Sequence, residues 1–356
     1  MHPLNRVTVP FFISHRGCPH RCVFCDQSRI TGASGDLPDA GAIGAAVRSY
    51  RSSVPVEVAF FGGSFTALPQ GVQLSLLEGV VPLREEGAVA SLRVSTRPDA
   101  VSAENLSLLR RYGVETVELG VQSMRDEVLV RSGRSYRGAE VSRAVSLLRE
   151  AGMRVGAQLM VGLPGDDASG ALESLRRVLD LQPDFLRIYP TLVLQGTALE
   201  EMLRRGEYLP LTLEEGVRQA APMLLEALRR SIPVVRLGLQ AGKSLESSVV
   251  AGPYHPAFRE LVEGELFHDL LLRMAPRGEP LRVLCNPRKV SVVVGQRRNN
   301  LRRWAAEGVI VASVAGDPAI ATLDVQVCAP DTRWRGSLLD AQIDGGRSLV
   351  PASSPR

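Results

Sequence analysis

Short apolar runs alternate with segments of helical period through the first two thirds of this 356-residue chain. The runs fall near residues 7–13, 56–62, 92–96, 114–121, 154–161, 184–190 and 234–239. Between them, apolar residues recur with helical spacing near 38–52, 70–83, 103–112, 138–151, 168–181 and 213–230. Strands separated by whole helices do not pair as hairpins. They pair in parallel, with the helices covering the sheet. Six such units are too few to close an eight-fold barrel, so the pattern predicts an open one. Several strand ends carry small or polar residues, among them Gly62-Gly63-Ser64, Thr96-Arg97-Pro98, Gly120-Val121-Gln122-Ser123 and Gly162-Leu163-Pro164. In barrel folds the carboxyl ends of the strands are where chemistry is done.

Directly after the first apolar run, three of the five cysteines crowd into eight residues as Cys18-x-x-x-Cys22-x-x-Cys25. At the chain's average usage such a window would hold roughly 0.1 cysteine, so the cluster has a chemical reason. Three thiolates on one loop can hold three corners of an iron–sulfur cube, leaving the fourth iron open to a ligand. Structural zinc is the alternative, with His15 or His20 as a fourth donor. Cys285 and Cys328 lie far away and do not form the second pair that closed zinc sites favour. An odd number of cysteines in a long chain argues against a disulfide framework.

Hydrophobic residues make up 45% and charged residues 22%, the balance of an ordinary globular protein. No apolar stretch reaches the ~18–20 residues that span a bilayer. Met1 leads into the first strand within a few residues, leaving no room for a signal peptide. A cytoplasmic protein is therefore expected, in a compartment whose reducing conditions suit free thiolates.

Seven stretches taken in order, FFISHRGCPHRCVFCDQ, FFGGSFTALP, STRPD, ELGVQSM, VGAQLMVGLPGD, DFLRIYPTLVLQGT and VVRLGLQ, carry a family resemblance. Together they closely resemble the Elongator-subunit-3-like branch of the radical S-adenosylmethionine (SAM) superfamily. Oxygen-independent coproporphyrinogen oxidases are more distant cousins. The resemblance implies an α/β fold, an open (β/α)6 partial TIM barrel over residues 1–245. It also implies a [4Fe-4S] cluster on Cys18, Cys22 and Cys25, and SAM bound through its amino and carboxylate groups to the open iron. An electron from a flavodoxin or ferredoxin then cleaves SAM to a 5′-deoxyadenosyl radical. For the nucleotide, the resemblance implies Phe24 and Met160 against adenine and the Gly62-Gly63 turn at the SAM amine. Ser64 stands where the family commonly has an acid, a departure that leaves a hydroxyl and backbone carbonyls for the amine. Ser95, Glu118 and Gln122 are expected near ribose hydroxyls or the methionine carboxylate, and Arg134 as a bidentate carboxylate partner. Glu118 shares a strand face with Gly120 and Gln122 and is read either as a site residue or as structural.

The family's acetyltransferase domain needs more than the roughly 110 residues that follow position 245, so acetyl transfer by this chain is not expected. Residues 246–330 are read instead as a small α+β accessory module, with strand-like runs at 281–285, 289–294 and 309–328, and residues 331–356 as a tail. Within the module, residues 282–303 carry Arg282, Arg288, Lys289, Arg297, Arg298, Arg302 and Arg303 and no acid. Such a stripe suits phosphates, with Trp304 and Asn299 beside it to stack or hydrogen-bond, and points to RNA or tRNA as a partner. It also fits a plain solvated surface. A small metabolite as substrate and a non-catalytic cluster or haem carrier remain the competing functional readings.

Overall fold

The computed structural model describes residues 7–19, 21–32, 36–50 and 54–340. His20 and the end of the expected tail, from residue 341, lie outside them. The chain divides into two compact units. One runs to Thr212 and takes in Ile232–Pro256; the other holds Leu213–Ser231 and everything from Ala257 onward.

The first unit is built on a parallel sheet of β1 (Thr8–Phe12), β2 (Val56–Phe61), β3 (Val89–Thr96), β4 (Val114–Gln122), β5 (Arg154–Val161), β6 (Phe185–Pro190) and β8 (Val234–Leu237). Their spatial order follows the chain, β1-β2-β3-β4-β5-β6-β8. A short ribbon pairs β7 (Val193–Leu194) with β9 (Val249–Ala251). The curled, all-parallel sheet is a partial barrel with free edges at β1 and β8. Runs such as Val-Glu-Val-Ala-Phe-Phe in β2 are apolar on both faces because helices cover one side and the barrel interior the other.

The seven strands expected of the barrel all form. Helix ends follow their caps: Asp167 accepts from the Gly170 amide at 2.7 Å and starts the helix Ala168–Asp180, which buries Ala171, Leu175, Val178 and Leu179. The single helix expected over 70–83 is two, Gln70–Glu78 and Val81–Glu85, the second with a proline in its first turn. The helix Ala198–Arg204, started by Thr197, has no counterpart in the sequence reading.

β1 contains Pro10 at a free edge. Ile13 donates to the Phe61 carbonyl and Val7 accepts from Glu57, so odd-numbered residues face β2. By alternation the position of the missing Pro10 amide falls on the open side, where no ladder bond is lost.

The barrel floor is charged. Arg93 from β3 bridges Glu57 (2.6 Å) and Glu118 (2.8 Å). Arg187 from β6 grips Glu118 from the other side, and Arg154 stands 3.7 Å from Glu57. Glu57, Arg93 and Glu118 are buried, so their charges are mutually compensated.

In the second unit the helices Leu213–Arg229 and Phe258–Met274 accompany a four-stranded sheet of β10 (Pro280–Cys285), β11 (Ile310–Gly316), β12 (Asp324–Cys328) and β13 (Arg333–Ser337). Its order is β11-β10-β12-β13, with β10 and β11 parallel and the other pairs antiparallel. The strand expected at 289–294 is a helix, Val290–Val294, preceded by a 3₁₀ turn at Pro287–Lys289. A short β-branched run reads equally as strand or buried helix; here the parallel pairing of β10 and β11 demands a crossover between them. The expected tail contributes β13. The α+β character holds, but Leu213–Arg229 also belongs with this unit, ahead of β8 in the chain.

Candidate functional site

The cysteine loop leaves β1 through a chain of tight turns. Arg16 donates to the Ile13 carbonyl at 3.0 Å, Cys18 to His15 at 3.4 Å and Cys25 to Cys22 at 3.0 Å. The loop is pinned to the end of β2, where Ser64 donates to the Arg16 carbonyl at 2.8 Å. Two glycines make that contact possible. A Cβ at Gly17 would collide with the Ser64 carbonyl, and a Cβ at Gly63 with the Arg16 and Ile13 carbonyls; both residues have positive φ. The Gly63 amide also donates to Gln27 Oε1 at 2.8 Å. Gly63 thus serves the loop's backbone first.

Cys18, Cys22 and Cys25 are free, partly exposed thiols that open into one cavity of about 850 Å³, within the ~300–1,000 Å³ usual for small-molecule sites. Burial, reinforced by Cys22, pushes the Cys25 thiol up to about 12. Burial also raises Cys18, while Arg97 and Arg134 pull it down. Cysteines in this setting become thiolates when a metal replaces their protons.

His15 Nε2 accepts from the Gln27 amide at 3.0 Å, so that nitrogen is already engaged and not open to a metal.

Two buried arginines stand beside the thiols. Arg97 donates to both Asp99 oxygens (2.9 and 2.7 Å) and to Ser135 Oγ (2.7 Å), and lies over the Tyr136 ring. Arg134 donates from one nitrogen to the Gly120 carbonyl (2.9 Å) and to Tyr136 Oη (2.6 Å). Arg97 Nη1 and Arg134 Nε are buried with no hydrogen-bond partner. Unsatisfied guanidinium donors around three thiols fit an anionic group such as a tris-thiolate iron–sulfur cluster.

Phe24 and Met160 meet in one apolar cluster with Val128, Leu163, Val193, Leu199 and Tyr208, and both line the cavity. Ser95, Glu118, Gln122, Arg134 and the Gly62-Gly63 turn line it as well. Ser64 does not: it is fully buried, and its hydroxyl is spent on Thr96 Oγ1 (2.9 Å) and the Arg97 amide (3.2 Å). Glu118 reaches the cavity with both oxygens already held by arginines. Gln122 sits at φ 65°, rare for a non-glycine residue, beside an irregularity in the β4–β5 pairing, and accepts from Gln158 at 3.2 Å. Backbone strain of this kind concentrates at functional sites.

Sequence reading passed over Arg187, Gln158 and Tyr189 as lining residues and noted Arg97 only within its strand-end motif. Arg187 and Tyr189 alternate on one face of β6, a period that marks them as inward-pointing.

The radical SAM superfamily model matches residues 12–178, and the radical SAM C-terminal domain model matches residues 183–268. The tRNA uridine(34) acetyltransferase of Methanocaldococcus jannaschii is 28% identical over 253 residues, covering 59% of this chain and 47% of that protein. Elongator complex protein 3 of Homo sapiens is 28% identical over 173 residues, 43% of this chain and 32% of that protein. The chain thus spans half or less of the length of these relatives. A solved structure of Methanocaldococcus infernus Elp3 lacking its N-terminus superposes with a TM-score of 0.57 at 23% identity, covering 73% of this chain and 62% of that one, which shows the shared fold. With the three-cysteine loop, the parallel partial barrel and the family matches in agreement, the chain belongs to the radical SAM superfamily, whose cofactors are a [4Fe-4S] cluster and S-adenosylmethionine.

Proposed function

We propose that this chain performs radical chemistry on RNA, with tRNA as the first candidate. The observation that carries the radical step is the shared cavity: three thiols, two buried arginines with unspent N–H groups, and an apolar wall of Phe24 and Met160. Cys18, Cys22 and Cys25 would hold the cluster. Bound there, the cluster and SAM supply one electron and a 5′-deoxyadenosyl radical that abstracts hydrogen.

The protein's own part is placement. Arg134, fixed by Gly120 and Tyr136, sets a positive charge on the cavity wall for an incoming carboxylate. Gln122 offers an amide to sugar hydroxyls, and Phe24 with Met160 offers a flat apolar surface to a base. Beneath them the Glu57–Arg93–Glu118–Arg187 network lines the barrel floor with paired charges. A one-electron donor of the flavodoxin or ferredoxin kind completes the reaction.

Support for RNA comes from two sides: relatives named for tRNA uridine(34) and Elongator, and the exposed arginines of residues 282–303. Anaerobically reconstituted protein, given SAM and dithionite, is expected to release 5′-deoxyadenosine faster when RNA from the source cell is present, and to change the mass of one RNA nucleoside. Release stimulated only by the small-molecule fraction would replace RNA with a metabolite. An intact cluster with no 5′-deoxyadenosine would leave a non-catalytic carrier.

A further inference from the structure

The sheet β10–β13 lies beyond both family matches, which end at residue 268. β10 and β11 run parallel as direct neighbours, in register from Pro280↔Ile310 to Cys285↔Gly316 with one shift. The chain joins them through two short helical segments, Pro287–Val294 and Asn299–Ala306. Between the segments lie only Gly295-Gln296-Arg297-Arg298. A four-residue Gly-x-x-Gly loop is the device with which KH modules clamp the backbone of about four nucleotides of RNA, and this hinge has the same length.

The hinge has the glycine at its first position, and Arg298 replaces the one at the fourth. Arg297 and Arg298 nevertheless adopt left-handed backbone, at φ 50° and 61°. Such a conformation is strained for a non-glycine residue and persists only where its surroundings impose it. Here buried Asn300 imposes it, donating to the Gly264 carbonyl (2.9 Å) and the Val293 carbonyl (3.2 Å), while the Arg298 amide returns to Gly295 at 2.9 Å. A Cβ at Gly295 would press on the Asn300 amide, 2.9 Å away. The fold therefore holds two adjacent guanidiniums in a strained hinge.

Charge and exposure agree. Lys289 and Arg303 of the basic stretch are neutralised by Glu263 and Glu265 from the helix Phe258–Met274. Arg288, Arg297, Arg298 and Arg302 are exposed and form no ion pair among the described residues. β11 is the free edge of its sheet, and Ile310 on it is 47% exposed. A strand of bases laid there meets unpaired backbone groups and an apolar side chain.

We propose that Gly295–Arg298, with the edge strand β11, clamps the sugar–phosphate backbone of single-stranded RNA. This deepens the RNA reading above by giving the C-terminal unit its own nucleic-acid site. The test is fluorescence anisotropy on the full chain with a labelled mixed-sequence 12-nucleotide RNA, the same sequence as DNA, and an RNA duplex. The wild-type protein is expected to bind single-stranded RNA more tightly than either competitor. Arg297→Asp with Arg298→Asp is expected to weaken that binding at least tenfold and to flatten the salt slope by roughly 1.4, about 0.7 per lost phosphate contact. Its thermal unfolding and its RNA-independent 5′-deoxyadenosine release should stay at wild-type level. Arg297→Gly with Arg298→Gly, which relaxes the backbone and removes only the cations, should weaken binding in the same direction.

Unchanged affinity in the aspartate variant, or equal or tighter binding of DNA or duplex, would overturn the clamp. RNA turnover that persists with unchanged binding in the variant would sink the clamp and leave the enzymatic reading standing. Binding lost in the variant, without any RNA turnover by the wild type, would do the reverse.

Discussion

Arg187 holds Glu118 with one hydrogen bond, Nη2 to Oε1 at 3.0 Å, and a close ionic approach of Nε to Oε2 at 2.7 Å, inside the barrel of a radical SAM protein. Arg93 shares the same carboxylate. Removing one partner of a buried pair strands the other's charge, at a cost of roughly 3–5 kcal/mol. Glu118→Ala should therefore lower the urea midpoint sharply. Glu118→Gln with Arg187→Met, which takes away both charges together, should recover much of that loss. Equal damage from the single and paired changes would mean that the ion pair is incidental.

Gly17 of the cysteine loop and Gly152, in the turn after the helix Gly138–Glu150, differ in what their hydrogen leaves room for. Gly17→Ala adds a collision with the Ser64 carbonyl to the cost of positive φ, whereas Gly152 has positive φ and open space around it. Gly152→Ala should cost about 1 kcal/mol. Gly17→Ala should cost more and also reduce iron bound per chain after anaerobic reconstitution. Full iron loading in Gly17→Ala would show that the loop does not depend on this close approach.

Gln122 trades stability for position. Glycine there relieves a left-handed backbone worth on the order of 1 kcal/mol, offset in part by loss of the Gln158 hydrogen bond. Gln122→Gly is expected to melt at or slightly above wild type and to bind SAM several-fold more weakly, as equilibrium dialysis of the reconstituted protein would show. Arg134→Met should weaken SAM by roughly 10–100-fold while the cluster absorbance remains.

Asp166 supplies a pH signature away from the cysteines. Burial raises its pKa to about 6, from 3.8, against the opposing pull of the Asp167 amide and Arg125. The folded state thus prefers the protonated acid. Any stabilisation from this group is complete below pH 4 and is lost as pH rises through about 6. Asp166→Asn should raise stability at pH 7.5 by on the order of 1 kcal/mol, and the gain should vanish at pH 4. A gain independent of pH would assign the effect to packing.

The barrel was readable in the sequence because its signals are local. Each strand announces itself by an apolar run, each main helix by its period, and the cysteine spacing by its density. What was missed depends on partners distant in the chain. Lys289 and Arg303 look like free cations until the helix Phe258–Met274 brings Glu263 and Glu265 to them. Ser64 stands at a strand end, yet Thr96 from the next strand claims its hydroxyl. The valines of 290–294 favour a strand by composition, and only the parallel pairing of β10 with β11 makes them helical. Arg93 and Arg187 are charges where a barrel usually packs aliphatics, and alternation places them inside without naming the acids that compensate them.

Pro10 has a bearing on the free edge of the unclosed sheet. A neighbouring copy that tried to extend the sheet along β1 would find a donor missing halfway down, and so would gain too little from zipping on. The gap at that edge can then remain a doorway without turning into a seam between molecules.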